Sequence, residues 1–371
     1  MNNGVKPDGT RDFPELPPAF ATKDYREHHA FWKQHQVPDS WVKFRDIALY
    51  WIGKGVDGFR FDMAEMVPVE FWSYMNSAIK MANPEAFLLA EIYNPRAYRD
   101  YIILGQMGYL YDKVDLYDTL KPIMQGTGST DDLVPILQRF ADIEHHLLHF
   151  LENHDEQRLA HPEFAGSAEK GKPAMVVSAT IGSSPIMIYF GQEVGEDGSE
   201  KTGFGDPSRT TIFDYAGVPA HQRWMNGGRF DGGQSTAAEK ALREFYRRLL
   251  SFAAQSQAVR GGFAEIHSVN RSANAGYHDK LFSYVRHSDE EKLVIVANFS
   301  TERSGDLGLI IPAATVAQMG LTDGEHVLVD QLYEQARTKL VITGGTGRLK
   351  VSLNGLESVI LKVDTPRPPN K

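Results

Sequence analysis

Arg60 and Asp62 stand two residues apart in "GVDGFRFDMAE", a stretch that otherwise reads as a short apolar strand. Glu91 closes the apolar run in "FLLAEIYN", and Glu152, Asn153, His154 and Asp155 close the run in "LLHFLENHDEQR". Each taken alone reads first as a structural ion pair, a helix cap or a surface turn, but burying charges is expensive, which favours function once several converge. Together they can do chemistry. Two carboxylates flanking a glycosidic bond support retaining hydrolysis: one attacks the anomeric carbon, and the other protonates the departing oxygen and then deprotonates water. An arginine beside a carboxylate keeps it ionised. A third carboxylate can stabilise positive charge on the sugar, and a neighbouring histidine can donate to a hydroxyl.

The elements around these residues decide whether they can meet. Alternate strand residues share a face, so Gly58, Arg60 and Asp62 point one way and Phe59 and Phe61 the other. The three- and four-residue steps of Trp41, Phe44, Ile47, Ala48 and Trp51 predict a helix from Asp39 to Lys54. Strands are expected at Val56 to Met63, Phe87 to Ile92, Leu110 to Leu116, His146 to Leu151 and Pro185 to Phe190. Helices are expected at Pro68 to Met81, Tyr98 to Gly105, Asp131 to Ala141 (capped by Asp131 or Thr130) and Pro173 to Ile181. Alternation of this kind predicts an α/β fold with a parallel sheet and helices outside it, and each charged group then falls at the C-terminal end of a different strand, where barrel enzymes place their chemistry. Residues 1–38 read as loop and linker, punctuated by proline and glycine. A long loop, Gly191 to Gly233, precedes an amphipathic helix from Thr236 to Ala254. The expected domains are a partial (β/α) catalytic barrel over 1–262 and an all-β sandwich of about seven strands over 263–371. The tail "TPRPPNK" reads as extended and mobile.

Composition narrows the function classes. The 371 residues carry a formal net charge of −9, which argues against nucleic acid or an anionic membrane as partner and suits a neutral substrate such as a sugar. The absence of cysteine excludes disulfides, thiolate catalysis and cysteine-ligated zinc. No apolar run reaches the length of a membrane span. Of the clustered His145, His146 and His149, His146 would face opposite to the other two on a strand, which favours packing over a metal site.

These stretches resemble the α-amylase family of glycoside hydrolases. "GVDGFRFDMAE" is similar to the motif that carries the family's nucleophile, which places Asp62 in that role with Arg60 in support. "LLAEIYN" resembles the motif around the acid/base, Glu91. "FLENHDEQR" resembles the motif ending in His-Asp, with His154 as a sugar-binding residue and Asp155 as the transition-state stabiliser. "SPIMIYFGQEVGE" looks like the last barrel strand and "RTTIFDY" like a segment of the loop beyond it. The resemblance runs from about Asp39 to Asp364. It implies a (β/α)8-type TIM barrel followed by an all-β domain, and retaining hydrolysis of α-1,4-glucosidic bonds in starch-like glucans or maltooligosaccharides. A glucanotransferase using the same residues is the alternative within the family. Tyr93, just past Glu91, is a candidate sugar contact, and Arg158 a candidate partner of Asp155 or of another acid in the cleft. The resemblance also implies a lean toward a periplasmic or secreted location.

Two departures stand out. The family's early Asp-x-x-x-Asn-His motif, which contributes to the sugar site and often to structural calcium, has no counterpart; the one Asn-His is Asn153-His154. The strand at Arg60 should be the fourth of eight, so only about strands 4–8 are expected. An open half-barrel would expose its edge, and the chain then reads as a fragment, as half of a barrel completed by a second chain, or as a catalytically inactive or merely carbohydrate-binding protein. The second departure is at Glu65 and Met66, where many relatives have Lys-His in contact with substrate and calcium. No metal ligands are assigned, and calcium remains a candidate cofactor through the resemblance alone.

Overall fold

The computed structural model describes residues 4–199, 208–210, 218–334 and 337–364. Part of the "RTTIFDY" segment, much of the long loop and the tail from residue 365 lie outside the described residues. The chain divides into two compact units, Met1–Asp115 with His145–Leu148, and Leu116–Glu144 with His149–Lys371. Five parallel strands follow one another in hydrogen-bonding order, β1 (Gly58–Phe61), β2 (Phe87–Ala90), β3 (Tyr109–Tyr111), β4 (Leu147–Phe150) and β5 (Ile186–Met187). This is the C-terminal part of a (β/α) barrel, and an antiparallel all-β sheet follows it in the chain.

In the first unit, β1 pairs with β2, β2 with β3, and β3 with the start of β4, all in parallel register. Gly58 lies so close to β2 that a Cβ would collide with the Phe87 carbonyl, which is why the strand opens on glycine. The alternation in β1 sends Phe61 against Trp72, with ring centroids 4.7 Å apart. Trp72 lies on helix α3 (Val69–Ala82), buried along most of its length. Two helices precede β1. Helix α1 (Tyr25–Trp32) begins at a capping box in which Asp24 accepts from Glu27 N and Glu27 from Asp24 N, satisfying two of the free amides of the first turn. It lies in the segment expected to be loop or linker, and it docks on α3. Helix α2 (Asp39–Gly53) buries Trp41 and Ala48 and leaves Phe44, Ile47, Tyr50 and Trp51 exposed. Helix α4 (Tyr98–Ile103) connects β2 to β3. Among the described residues, no strand pairs with the outer edge of β1.

In the second unit, β4 ends by pairing with β5 through His149–Ile186 and Phe150–Met187. The strand expected to run to Leu116 instead stops at Tyr111, and a wide helical turn at Lys113–Tyr117 leads into helix α5 (Asp118–Gln125). Helix α6 (Leu133–Arg139) follows a short 3-10 turn capped by Ser129, whose hydroxyl accepts from Asp131 N. Helix α7 (Gly171–Thr180) is almost wholly buried, α8 (Pro219–Met225) interrupts the long loop, and α9 (Ala237–Gln255) starts at the Thr236–Glu239 capping box. Leu120, Met175, Val176, Phe245 and Leu249 share one apolar core with Phe282, Ile295 and Ile360 of the antiparallel sheet.

That sheet runs β6 (Gly262–Glu265), β7 (Leu281–His287), β8 (Lys292–Asn298), β9 (Asp306–Ile311), β10 (Gly324–Asp330), β11 (Arg337–Thr343), β12 (Thr346–Ser352) and β13 (Ser358–Val363). Among the described residues eight strands, where about seven were expected, form one ladder ordered β6-β7-β8-β13-β10-β11-β12-β9. The alternate residues Leu281, Val285, Val294 and Val296 meet Leu307, Leu309, Ile311 and Leu349 in a second core, so the sheet curls onto itself. Helix α10 (His267–Ala273) joins the layers: Asn270 donates to Ile310 O at 2.9 Å and accepts from Ile310 N at 2.8 Å. Helix α11 (Ala313–Gln318) contributes Val316 to the same core.

Candidate active site

The first unit gathers Arg60, Asp62, Glu91 and Tyr93 at the C-terminal ends of β1 and β2. Glu91 N donates to Phe61 O and Ala64 N to Glu91 O, each at 3.0 Å, so the two strand ends stay in register beyond the sheet. After Asp62 the chain turns sharply: Met63 adopts left-handed backbone angles, φ 43 and ψ 44. A non-glycine residue accepts this region only where its surroundings enforce it. Here the turn aims Met63 N at Glu91 Oε2, 2.8 Å away.

Two carboxylates share one guanidinium in contrasting surroundings. The Asp62 side chain is 69% exposed and accepts a very short hydrogen bond from Arg60 Nη1. The Glu91 side chain is 7% exposed, with Arg60 Nη2 at 3.3 Å from Oε2. Its other oxygen accepts from the Tyr93 hydroxyl at 2.5 Å. Arg60 also lies over the Tyr111 ring, 5.6 Å from the centroid. Burial pulls the Arg60 pKa down, but hydrogen bonds to Asp62 and Tyr111, with the charges of Tyr111 and Glu91, outweigh it and hold the guanidinium above its ordinary value. Arg60 is therefore a permanent cation between the two acids.

The departure at Glu65 acquires a structural account. Glu65 Oε2 accepts from both Tyr93 N and Asn94 N at 3.0 Å. Glu65 sits in the 3-10 turn Ala64–Met66, which is itself pinned. Trp72 Nε1 donates to Ala64 O at 2.9 Å, and the Tyr101 hydroxyl bridges Glu65 O and Val67 O at 3.1 and 3.0 Å. Burial, with the charge of Glu65 adding to it, pushes the Tyr101 phenol up to about 12, so it remains a donor.

His154, Asp155 and Arg158 belong to the second unit. Asn153 Oδ1 accepts from Asp155 N at 2.9 Å and Glu156 N at 2.8 Å, a side-chain turn that fixes the loop after β4. His154 Nε2 lies 3.1 Å from Asp155 Oδ2, and Asp155 is 47% exposed. Arg158 does not turn to Asp155. Fully buried, it donates to Glu152 at 2.8 Å and to Phe190 O at 2.9 Å, pairs with Thr210, and stacks over Tyr189. Burial pushes the Glu152 carboxyl up, against the opposing pull of Arg158. Sequence reading passed over the roles of Glu65, Tyr111 and Glu152. Glu152 left a signal as a charge at the end of an apolar run, and Glu65 as a departure from the family pattern.

His146 Nδ1 meets Gly108 O at 2.7 Å and His149 Nδ1 meets Ser178 O at 2.8 Å, so both rings are occupied by backbone carbonyls. Among the described residues, no three histidine or acidic side chains are grouped to hold a metal ion. No step proposed below runs through a metal. Among those residues no helix is long and apolar enough to cross a membrane.

The chain is similar to known proteins in sequence and in fold. The family described as "Alpha amylase, catalytic domain" matches residues 27–262. "Alpha-amylase 3" of Dictyoglomus thermophilum is 25% identical over 280 residues, covering 69% of this chain and 52% of that protein. A cyclomaltodextrinase from a Bacillus species is 23% identical over 270 residues, covering 68% of this chain and 40% of that protein. An α-1,4-glucan:maltose-1-phosphate maltosyltransferase of Cereibacter sphaeroides is 33% identical over 106 residues, covering 28% of this chain and 17% of that protein. Among solved structures, the α-amylase of Geobacillus thermoleovorans complexed with acarbose matches with a TM-score of 0.66 at 19% identity, covering 88% of this chain and 64% of that one. The chain spans about half the length of the curated relatives it matches. With more than half of its residues carried by the catalytic-domain match, the chain belongs to the α-amylase family.

Proposed function

We propose that this chain carries the retaining cleavage machinery for α-1,4-glucosidic bonds in starch-like glucans or maltooligosaccharides. The observation that carries the reading is the contrast between Asp62 and Glu91. One carboxylate is open to solvent under an arginine; the other is buried beside the same arginine. Asp62 attacks the anomeric carbon and forms the glycosyl ester as Glu91 gives its proton to the departing oxygen. Glu91 then takes a proton from water, whose oxygen displaces Asp62. Asp155 stabilises the positive charge that develops on the sugar ring, with His154 donating to a ring hydroxyl. Tyr93 is half-exposed beside the acid and lines the substrate. Arg158 serves by holding the loop that carries His154 and Asp155.

Transfer instead of hydrolysis needs only a sugar hydroxyl in place of water, and the maltosyltransferase relative favours keeping that reading. A second chain completing the barrel would add its strand at the outer edge of β1. Among the described residues that edge pairs with no strand. The family resemblance alone leans toward a periplasmic or secreted location, which fractionation of the source organism checks. The test of the activity is product analysis on maltooligosaccharides, with Glu91→Gln beside the wild type. Retained anomeric configuration and a loss of turnover of about 10²–10⁴-fold are expected. Near-normal turnover in the variant rejects the role of Glu91.

A further inference from the structure

We infer that Glu65 is a positioning residue that holds the Tyr93 phenol on Glu91 and thereby sets the proton affinity of the acid/base. The catalytic consequence rests on the role proposed for Glu91; the geometry does not. Tyr93 and Asn94 are the third and fourth residues past the end of β2, where ladder hydrogen bonds have stopped. Their amides are both taken by a single carboxylate oxygen of Glu65 at 3.0 Å. A charged acceptor shared by two amides is a strong local clamp. The clamp is rigid because the Ala64–Met66 turn is tied to α3 through Trp72 and to α4 through Tyr101. With its backbone fixed, Tyr93 reaches back to Glu91 Oε1 at 2.5 Å. The same turn supplies Met63 N to Glu91 Oε2. Residues 63–65 therefore govern both oxygens of Glu91, one directly and one through Tyr93.

Two possible effects of Glu65 on Glu91 have opposite signs, which makes the inference decidable. A phenol donating to a carboxylate favours the charged form and lowers its pKa. A nearby negative charge disfavours ionisation and raises it. If Glu65 acts through position, removing it frees Tyr93 and the Glu91 pKa rises. If it acts only as a charge, removing it lets the Glu91 pKa fall. The other charged or titratable groups around Glu91 are Arg60 on β1, Asp62 after it, Tyr111 on β3 and Lys113, whose Nζ lies 6.0 Å from the Tyr93 ring centroid. None of them is changed by substitutions at 65 or 93.

The experiment is a carbon-13 titration of the whole chain labelled at the glutamate carboxyl. The Glu91 resonance is assigned by its loss in Glu91→Gln. Tyr93→Phe is expected to raise the Glu91 midpoint by about one pH unit. Glu65→Ala should raise it in the same direction and move the Tyr93 and Asn94 amide protons upfield. Glu65→Gln keeps an acceptor oxygen and should hold the midpoint at or slightly below the wild-type value. If Glu65→Ala does not fold, Glu65→Asp decides: it keeps the charge but is one methylene too short for both amides, so the midpoint rises under the positional role and stays put under a charge effect. A fall or no change in Glu65→Ala, or no change in Glu65→Asp where that variant decides, overturns the inference. The readout needs no turnover, so it stands apart from the Glu91→Gln activity test, whose failure would remove the acid/base role and leave the clamp intact.

Discussion

Arg158 donates to Glu152 at 2.8 Å with neither side chain reaching solvent. The second Glu152 oxygen accepts from Leu159 N at 2.7 Å, so one carboxylate ties residue 152 to both 158 and 159. The loop between them carries His154 and Asp155. Cutting a buried pair by removing one partner leaves an uncompensated charge, at a cost of about 3–5 kcal/mol. Arg158→Met is therefore expected to lower stability by that amount in urea unfolding. Replacing both partners with apolar residues of similar volume should recover most of the loss. A single variant that costs under about 1 kcal/mol would mean the pair is not desolvated.

Asp131 offers a pH-dependent prediction. Its carboxylate accepts from Arg271 Nε at 2.7 Å, Arg271 Nη2 at 3.0 Å and His267 Nε2 at 2.8 Å. The Arg271 hydrogen bonds, followed by those of His267, outweigh partial burial and hold the Asp131 carboxyl well below the usual range. A depressed acid contributes stability that is present above its unfolded value, about 3.9, and is lost as pH falls through the folded value. The side chain is close to half exposed, so solvent screening limits the contribution to about 1 kcal/mol. The wild type should exceed Asp131→Asn by that amount at pH 7, with the gap narrowing from pH 4 downward. Equal gaps at pH 7 and pH 2.5 would count against the assignment.

The exposed side of α2 makes a surface prediction. Phe44, Ile47, Tyr50 and Trp51 lie at helical spacing and are all open to solvent, a larger apolar face than isolated surface residues produce. Ile47→Glu with Trp51→Lys should change stability by no more than about 0.5 kcal/mol. The same pair should reduce binding of an apolar dye and any concentration-dependent self-association seen by light scattering. A stability loss above about 2 kcal/mol would show that the face is packed in solution.

Strand-end charges were legible because period-two alternation fixes facing without tertiary information: Phe61 goes to Trp72 and Arg60 to the acids. The Thr236 start of α9 was legible for a local reason too, the capping box. What escaped depends on distant partners. Helix α1 shows only a thin apolar stripe, and its buried residues are His28 and Trp32. Pro122 inside α5 masks a helix that the preceding wide turn makes possible. Glu65 read as a mere departure because its partners are backbone amides, which carry no residue signature. Arg158 sits closer in sequence to Asp155 than to Glu152, yet burial sends it to the acid six residues back.

The docking of α1 gives the last prediction. Ser73 on α3 lies between two α1 side chains: Trp32 Nε1 donates to its hydroxyl oxygen at 2.8 Å, and His28 Nδ1 is 2.7 Å away. His28 Nε2 faces Phe20 O at 3.2 Å. A carbonyl can only accept, so Nε2 carries the ring proton, and Ser73 must donate to Nδ1. All these polar groups are satisfied at once, and His28 and Ser73 are fully buried. Ser73→Ala leaves the indole N–H and Nδ1 without partners, at about 1–3 kcal/mol per group. Burial holds the His28 pKa below its ordinary value, against a weaker upward pull from Phe20 O. As pH falls through about 6.5 the unfolded chain takes up a proton that the folded ring resists, so the docking weakens on acidification. Amide exchange in residues 25–32 should therefore accelerate in Ser73→Ala at pH 7, and in the wild type as pH drops from 7 to 5. Unchanged exchange in both would show that α1 is held by its apolar contacts alone.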